Sequence, residues 1–210
     1  KESSAASDVY KRQEQLEDRE SFSAWLEMFV DQQLTHTDAL AVRLVYAAED
    51  FERVEDLDDL VTVQALPRQI REGGMTMGGR LLSIGARSYP GEWVQRYEQG
   101  VVEERLHGHQ ATVWGVLARE LGVPEDTAVA SHVYATVISL TQNAVRGIPL
   151  GQNTGQAVIR DAQDWVGRAV AVSRDLVAQG IAEEVLGAVA PVLEIAQMNH
   201  ERQRARLFMS

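Results

Sequence analysis

The sequence predicts an all-α fold: one multi-helix domain of about eight or nine helices. Three observations lead there. Apolar residues recur at i, i+3, i+4 and i+7 along most of the chain. No alternating apolar and polar run competes as a strand. Proline, glycine and carboxylates stand where such helices would begin and end. At 210 residues the chain is long enough for a single well-packed core, and neither a repeat nor a linker divides it.

The elements follow in order. Phe22, Trp25, Leu26, Phe29 and Val30 form one face of a first helix, and Thr37 suits the cap of a second running through Ala41, Leu44 and Val45. From Glu49 to Asp59 seven carboxylates face only Arg53, which reads as a solvated loop or helix start able to attract a basic partner. Asp58 and Asp59 suit the N-terminus of a third helix, either kinked at Pro67 or restarted with Pro67 at its first position. Pro90-Gly91 breaks the chain before a helix from Trp93 to Arg105, and the next, through Val113, Trp114, Leu117 and Leu121, stops at Gly122. Pro124-Glu125-Asp126 starts a helix with proline at its first position and carboxylates over its positive end, whose inward face is read as Ala130, Val133, Tyr134, Val137, Ile138, Thr141, Ala144 and Val145. After Arg146-Gly147-Ile148-Pro149, Asn153 or Thr154 caps a helix carrying Val158, Ala162, Trp165, Val166, Ala169, Val170, Leu176 and Val177, closed by Gly180. A last helix is expected from Ala182 through Val185, Val189, Val192 and Ala196, with a kink at Pro191.

Composition excludes several classes of function. A net charge of −11 opposes nucleic-acid binding and favours partners with basic patches. Without cysteine there is no disulfide, thiolate metal site or cysteine nucleophile. No apolar run approaches the ~18 residues of a spanning helix and no signal peptide is visible, so the expectation is a soluble, cytoplasmic protein. The two lysines are Lys1 and Lys11, while every later basic residue through Arg206 is arginine. This break, and the resemblance of residues 3–12 to a translated library adapter, make residues 1–12 a non-native tract on an N-terminally truncated domain, residues 13–210.

Residues able to carry chemistry are few. No Gly-Lys pair exists, so the P-loop is missing. His107 and His109 offer at most half a metal site and equally suit structural roles, while His36 and His132 are isolated. Gly74 and Gly78 let another backbone approach one helix face closely. The connection Arg146 to Gln152 either serves as an interhelical turn or presents its arginine to a carboxylate. The tail, about residues 199–210, alternates Arg202, Arg204 and Arg206 and ends in Leu207, Phe208 and Met209, which leaves apolar surface without a local core. Such a segment docks into a groove.

At these residues the chain resembles the UreF family of urease accessory proteins over about residues 21–210. Gly78, Arg80, Leu81 and Leu82 resemble its Gly-Arg helix. The segment from His109 through Gly115 to Gly122 is similar to another family segment ending in Leu-Gly. Arg146, Pro149, Gly151 and Gln152 match its Arg-x-x-Pro-Leu-Gly-Gln turn, and His200, Glu201, Arg206, Leu207, Phe208 and Ser210 are similar to its ending. The resemblance implies a non-enzymatic, homodimeric assembly factor that bridges a UreD-type (UreH-type) scaffold and the UreG-type GTPase, modulates GTP hydrolysis and helps deliver nickel to apo-urease. It further implies that the tail orders against the UreD-type partner, that no cofactor is bound stably, and that nickel only passes through. The family's N-terminal Pro-x-Gly-x-Phe segment is missing, and Gly147 stands where an apolar residue is usual. The alternative is an all-α ligand-sensing regulatory domain, which would need a basic helix-turn-helix unit upstream; a histidine-based metalloenzyme would need His107 and His109 to converge with a distant carboxylate.

Overall fold

A computed structural model describes residues 16–187 and 190–201, except the side chains of 192, 196 and 199–201. The tract 1–12, Val189 and the tail from Arg202 lie outside the described residues. Within them the chain is helical, and no strand occurs. Helix α1 (Arg19–Met28) starts on a capping box in which the Asp18 carboxylate accepts from the Ser21 N–H and the Ser21 hydroxyl accepts from the Asp18 N–H. It continues without a break through π-helical turns (Phe29–Ala39) into α2 (Leu40–Ala47). Thr37 therefore caps nothing: its hydroxyl donates to the Gln33 carbonyl inside the rod.

Asp50, not Asp58, caps α3 (Phe51–Gln64), so Asp58 and Asp59 sit within it. Of the two expectations at Pro67 the restart holds, with Pro67 as the cap of α4 (Arg68–Ser88) rather than its first residue. Helices α5 (Glu92–Val102) and α6 (Gln110–Glu120) follow, the latter stopped by Gly122 at φ 67°. Pro124 precedes rather than opens α7 (Glu125–Gly147), and Gly151 at φ 71°, not Asn153 or Thr154, begins α8 (Gln152–Ala178), which Gly180 closes at φ 74°. The last helix, α9 (Pro191–Glu201), does not begin at Ala182: residues 182–187 form turns, and Pro191 occupies its first position instead of kinking it.

The rod from α1 to α2 is central. One core packs Phe22, Leu26, Val30 and Val42 of the rod against Val133, Val137 and Leu140 of α7 and Val158, Ala162 and Val166 of α8. The other packs Leu40 and Val45 against Phe51, Val54 and Leu57 of α3, Tyr97 of α5 and Val113 and Val116 of α6. The inward face of α7 is rotated from the expected one: Ala128, Val129 and Leu140 are buried, while Ile138 reaches solvent. Helix α9 lies along α4 and brings Leu193 into the first core.

Candidate functional site

The α5–α6 loop is organised by one carboxylate. Its N–H groups would be orphaned on burial. Asp58, fully buried in α3, accepts at Oδ1 from the Tyr97 hydroxyl (2.5 Å) and the His109 N–H (3.1 Å), and at Oδ2 from the N–H groups of His107 (2.6 Å) and Gly108 (3.2 Å). Burial, then the Asp58 charge, pushes the Tyr97 phenol well above its ordinary pKa, so it stays a donor. On the far side α4 presses on the same loop at Gly78, where a Cβ would stand 2.0 Å from the Gly108 oxygen. The expected close approach is real, and its partner is the loop backbone.

This clamp sets His109. Its Nδ1 accepts from the Ala111 N–H at 3.4 Å, capping α6 and leaving the ring proton on Nε2. Burial lowers its pKa below 6.5 against the pull of Asp38 and Asp58, so the ring is neutral. Beside it, His132 of α7 donates from Nε2 to Asp38 Oδ1 at 2.9 Å, and the Thr37 hydroxyl shares its proton between the Gln33 carbonyl and Asp38 Oδ2, each at 2.9 Å. Burial alone would raise the Asp38 pKa; the hydrogen bond and charge of His132 outweigh it and bring it down to about 2.

These groups form one wall of a cavity of about 350 Å³, the size of a small-ligand pocket. The π-helical turns contribute Phe29, Gln33 and Leu34, the α3–α4 turn Leu66 and Pro67, α4 Ile70, Met77 and Leu81, and α9 Glu194 and Gln197. Among the described residues no lysine or arginine lines it. Glu194 is only 7% exposed and has no hydrogen-bond or ionic partner among the described residues; burial raises its pKa. Gln33 Oε1 is likewise buried without a partner.

The histidine pair of the sequence is split. His107 is exposed and donates to Asp59 Oδ1 at 2.9 Å, whereas His109 turns inward. Among the described residues no three His, Asp or Glu side chains are placed to hold a metal ion, and no helix is long and apolar enough to cross a membrane. The motif residues divide by exposure: Leu82 and Gly115 are buried, Leu81 is half-buried, and Arg80 and Gly122 face solvent. In the turn, Ile148 and Leu150 are buried while Arg146, Pro149, Gly151 and Gln152 are exposed, and among the described residues the Arg146 guanidinium donates only to Asn143 of its own helix (2.7 Å). Of the terminal candidates, the His200 and Glu201 side chains and Arg206, Leu207, Phe208 and Ser210 lie outside the described residues.

Three important side chains escaped the sequence reading. Arg43, with its side chain 1% exposed, ties α2 to α7 and α8 through Glu125, Asp126, Ser173 and the Val170 carbonyl. Its signal was a lone charge inside Leu40-Ala41-Val42-Arg43-Leu44-Val45. Asp38 and Asp58 had no comparable signal, because their partners lie 94 and between 39 and 51 residues away.

Comparison with known proteins agrees with this chain along nearly its full length. The UreF family profile matches residues 16–163. A urease accessory protein UreF from Kocuria rhizophila is 88% identical over 97% of this chain and 87% of its own length. That of Corynebacterium efficiens is 49% identical over 97% and 86%, and that of Paenarthrobacter aurescens 49% identical over 92% and 83%. A match of this extent, on an all-helical body, places the chain in the UreF family.

Proposed function

We propose that the chain is a non-catalytic urease accessory protein that bridges a UreD-type scaffold and the UreG-type GTPase, as a dimer within their complex, and modulates GTP hydrolysis during nickel delivery to apo-urease in the cytoplasm. Nickel is cargo here, and the chain itself holds no resident cofactor. The observation that carries this reading is the division of labour in the polar residues. The buried groups Arg43, Asp38, Asp58 and His132 are consumed by pairings that hold helices together, whereas the Arg146–Gln152 turn offers its polar side chains outward from a frame locked by Ile148 and Leu150. Buried groups that only position structure and exposed ones on a rigid turn suit a protein that works by contact.

Two variants test it. Arg146→Ala should change folding stability by less than about 0.5 kcal/mol, since the arginine is exposed and hydrogen-bonds to Asn143 of its own helix, yet weaken capture of the UreD-type protein. Ending the chain after Arg204 removes Leu207 and Phe208, whose burial is worth roughly 1.5 to 3 kcal/mol each, and should weaken the same complex by about two to four orders of magnitude. Undiminished co-purification of both variants would refute the reading.

A further inference from the structure

Among the described residues three carboxylates are buried, and two of them have partners. Asp38 is held by His132 and Thr37, and Asp58 by Tyr97 and the α5–α6 loop. Glu194 of α9, 7% exposed, has no hydrogen-bond or ionic partner among the described residues, and it lines the cavity. We propose that this cavity is a binding site for a small organic cation, a primary ammonium group on a compact apolar body, with the ammonium on the Glu194 carboxylate and the body against Leu34, Met77 and Leu81.

Three observations converge. A carboxylate taken out of water needs a countercharge and N–H donors, and among the described residues no lysine or arginine lines the cavity to provide them. The other walls favour an organic over an inorganic cation. Leu34, Met77 and Leu81 would strip a hydrated ion of water, and no three His, Asp or Glu side chains among the described residues are placed to replace that shell. The aromatic walls are held in place: the Trp114 indole N–H donates to the Ala128 carbonyl at 2.8 Å, and Phe29 stacks on Trp25 with ring centroids 5.3 Å apart. Fixed aromatic rings attract an ammonium group and pack an apolar body equally well. Size agrees as well, since about 350 Å³ accommodates a ligand of about ten non-hydrogen atoms. Because the rod, α4 and α9 all contribute walls, occupancy fastens α9 to the body.

Phenethylammonium is the probe, titrated into the isotope-labelled full chain at about pH 8, where its amine is charged. The Met77 methyl resonance should shift saturably with a Kd of about 1 mM or tighter, the range open to a ligand of this size. Phenethyl alcohol, the same body with a neutral head, should bind about tenfold more weakly or worse, and phenylacetate should not bind. Glu194→Gln should weaken the ammonium by about tenfold or more and leave the alcohol within about twofold. Ala135→Trp, an enlargement at an exposed position of the cavity lining, should block the ammonium and the alcohol in a chain that melts normally. No partner protein enters these measurements, so their outcome is separate from that of the accessory role. An unmoved Met77 signal, equal affinity for ammonium and alcohol (an apolar hole only), or ammonium binding indifferent to either variant would each overturn the proposal.

Discussion

Arg43 carries its charge into the interior because every direction it points holds an acceptor: Ser173 Oγ at 2.8 Å, Glu125 and Asp126 at 2.8 Å each, and the Val170 carbonyl at 2.7 Å. Glu125 and Asp126 were legible as favourable charges at the start of α7, and they are that, but they also neutralise a cation arriving from α2. Arg43→Met removes the ties from α2 to α7 and α8 while leaving Glu125 and Asp126 within reach of water, so it should cost about 1 to 3 kcal/mol, read as a fall in the urea midpoint at unchanged slope. The histidine layer makes stability depend on pH in two steps. The folded-state pKa of His109 is depressed below 6.5, so the unfolded chain takes up the proton first, and the stabilisation present above pH 6.5 is lost as pH falls. Asp38 follows in a lower window: its stabilisation is complete above about pH 3.8 and is lost as pH falls through about 2. Melting temperatures measured from pH 8 to pH 2 should show both limbs, and His109→Asn should flatten the upper one. A profile level between pH 7 and pH 5 in the parent chain would contradict the assignment.

At the scale of elements, the rod shows what periodicity can and cannot say. Trp25 to Phe29 and Leu26 to Val30 are steps of four, but the next buried pair, Leu34 and Thr35, stands five residues further on. An α-helix would turn that pair away from the core; the wider π turns keep it inward, and the Thr35 hydroxyl donates back to the Val30 carbonyl at 2.7 Å. The five-residue step is present in the sequence, and the π turns that accommodate it carry the rod straight through Thr37, which caps no second helix. Adjacent glycines of α4 make a paired test. Gly78→Ala forces a Cβ against backbone of the α5–α6 loop and should destabilise by about 1 to 3 kcal/mol, whereas Gly79, with open space at its Cβ, should tolerate alanine with a gain of up to about 1 kcal/mol. Thermal melts of the two variants check this, and equal effects would show that α4 yields at Gly78.

Over the whole molecule the two cores share the central rod, so α2 and α6 couple a half built on α7 and α8 to a half built on α3, α4 and α5. With no glycine-rich loop leading to a lysine, the purified chain should show no stoichiometric GTP binding by calorimetry, and any effect on hydrolysis should require the GTPase. The sequence by itself determined the class of fold, the helices and most of their stops, because apolar spacing, proline and glycine act within a few residues of themselves. It also determined the family, since the turn and helix motifs are contiguous strings. Only the tertiary structure decided which polar residues go inside. Asp58 and Asp59 are neighbours of the same type in one acidic run, yet Asp58 is fully buried under the His107–His109 loop and Asp59 is exposed beside His107. A buried charge is tolerable only where distant chain delivers enough partners, and that delivery is a property of packing, which no local pattern encodes.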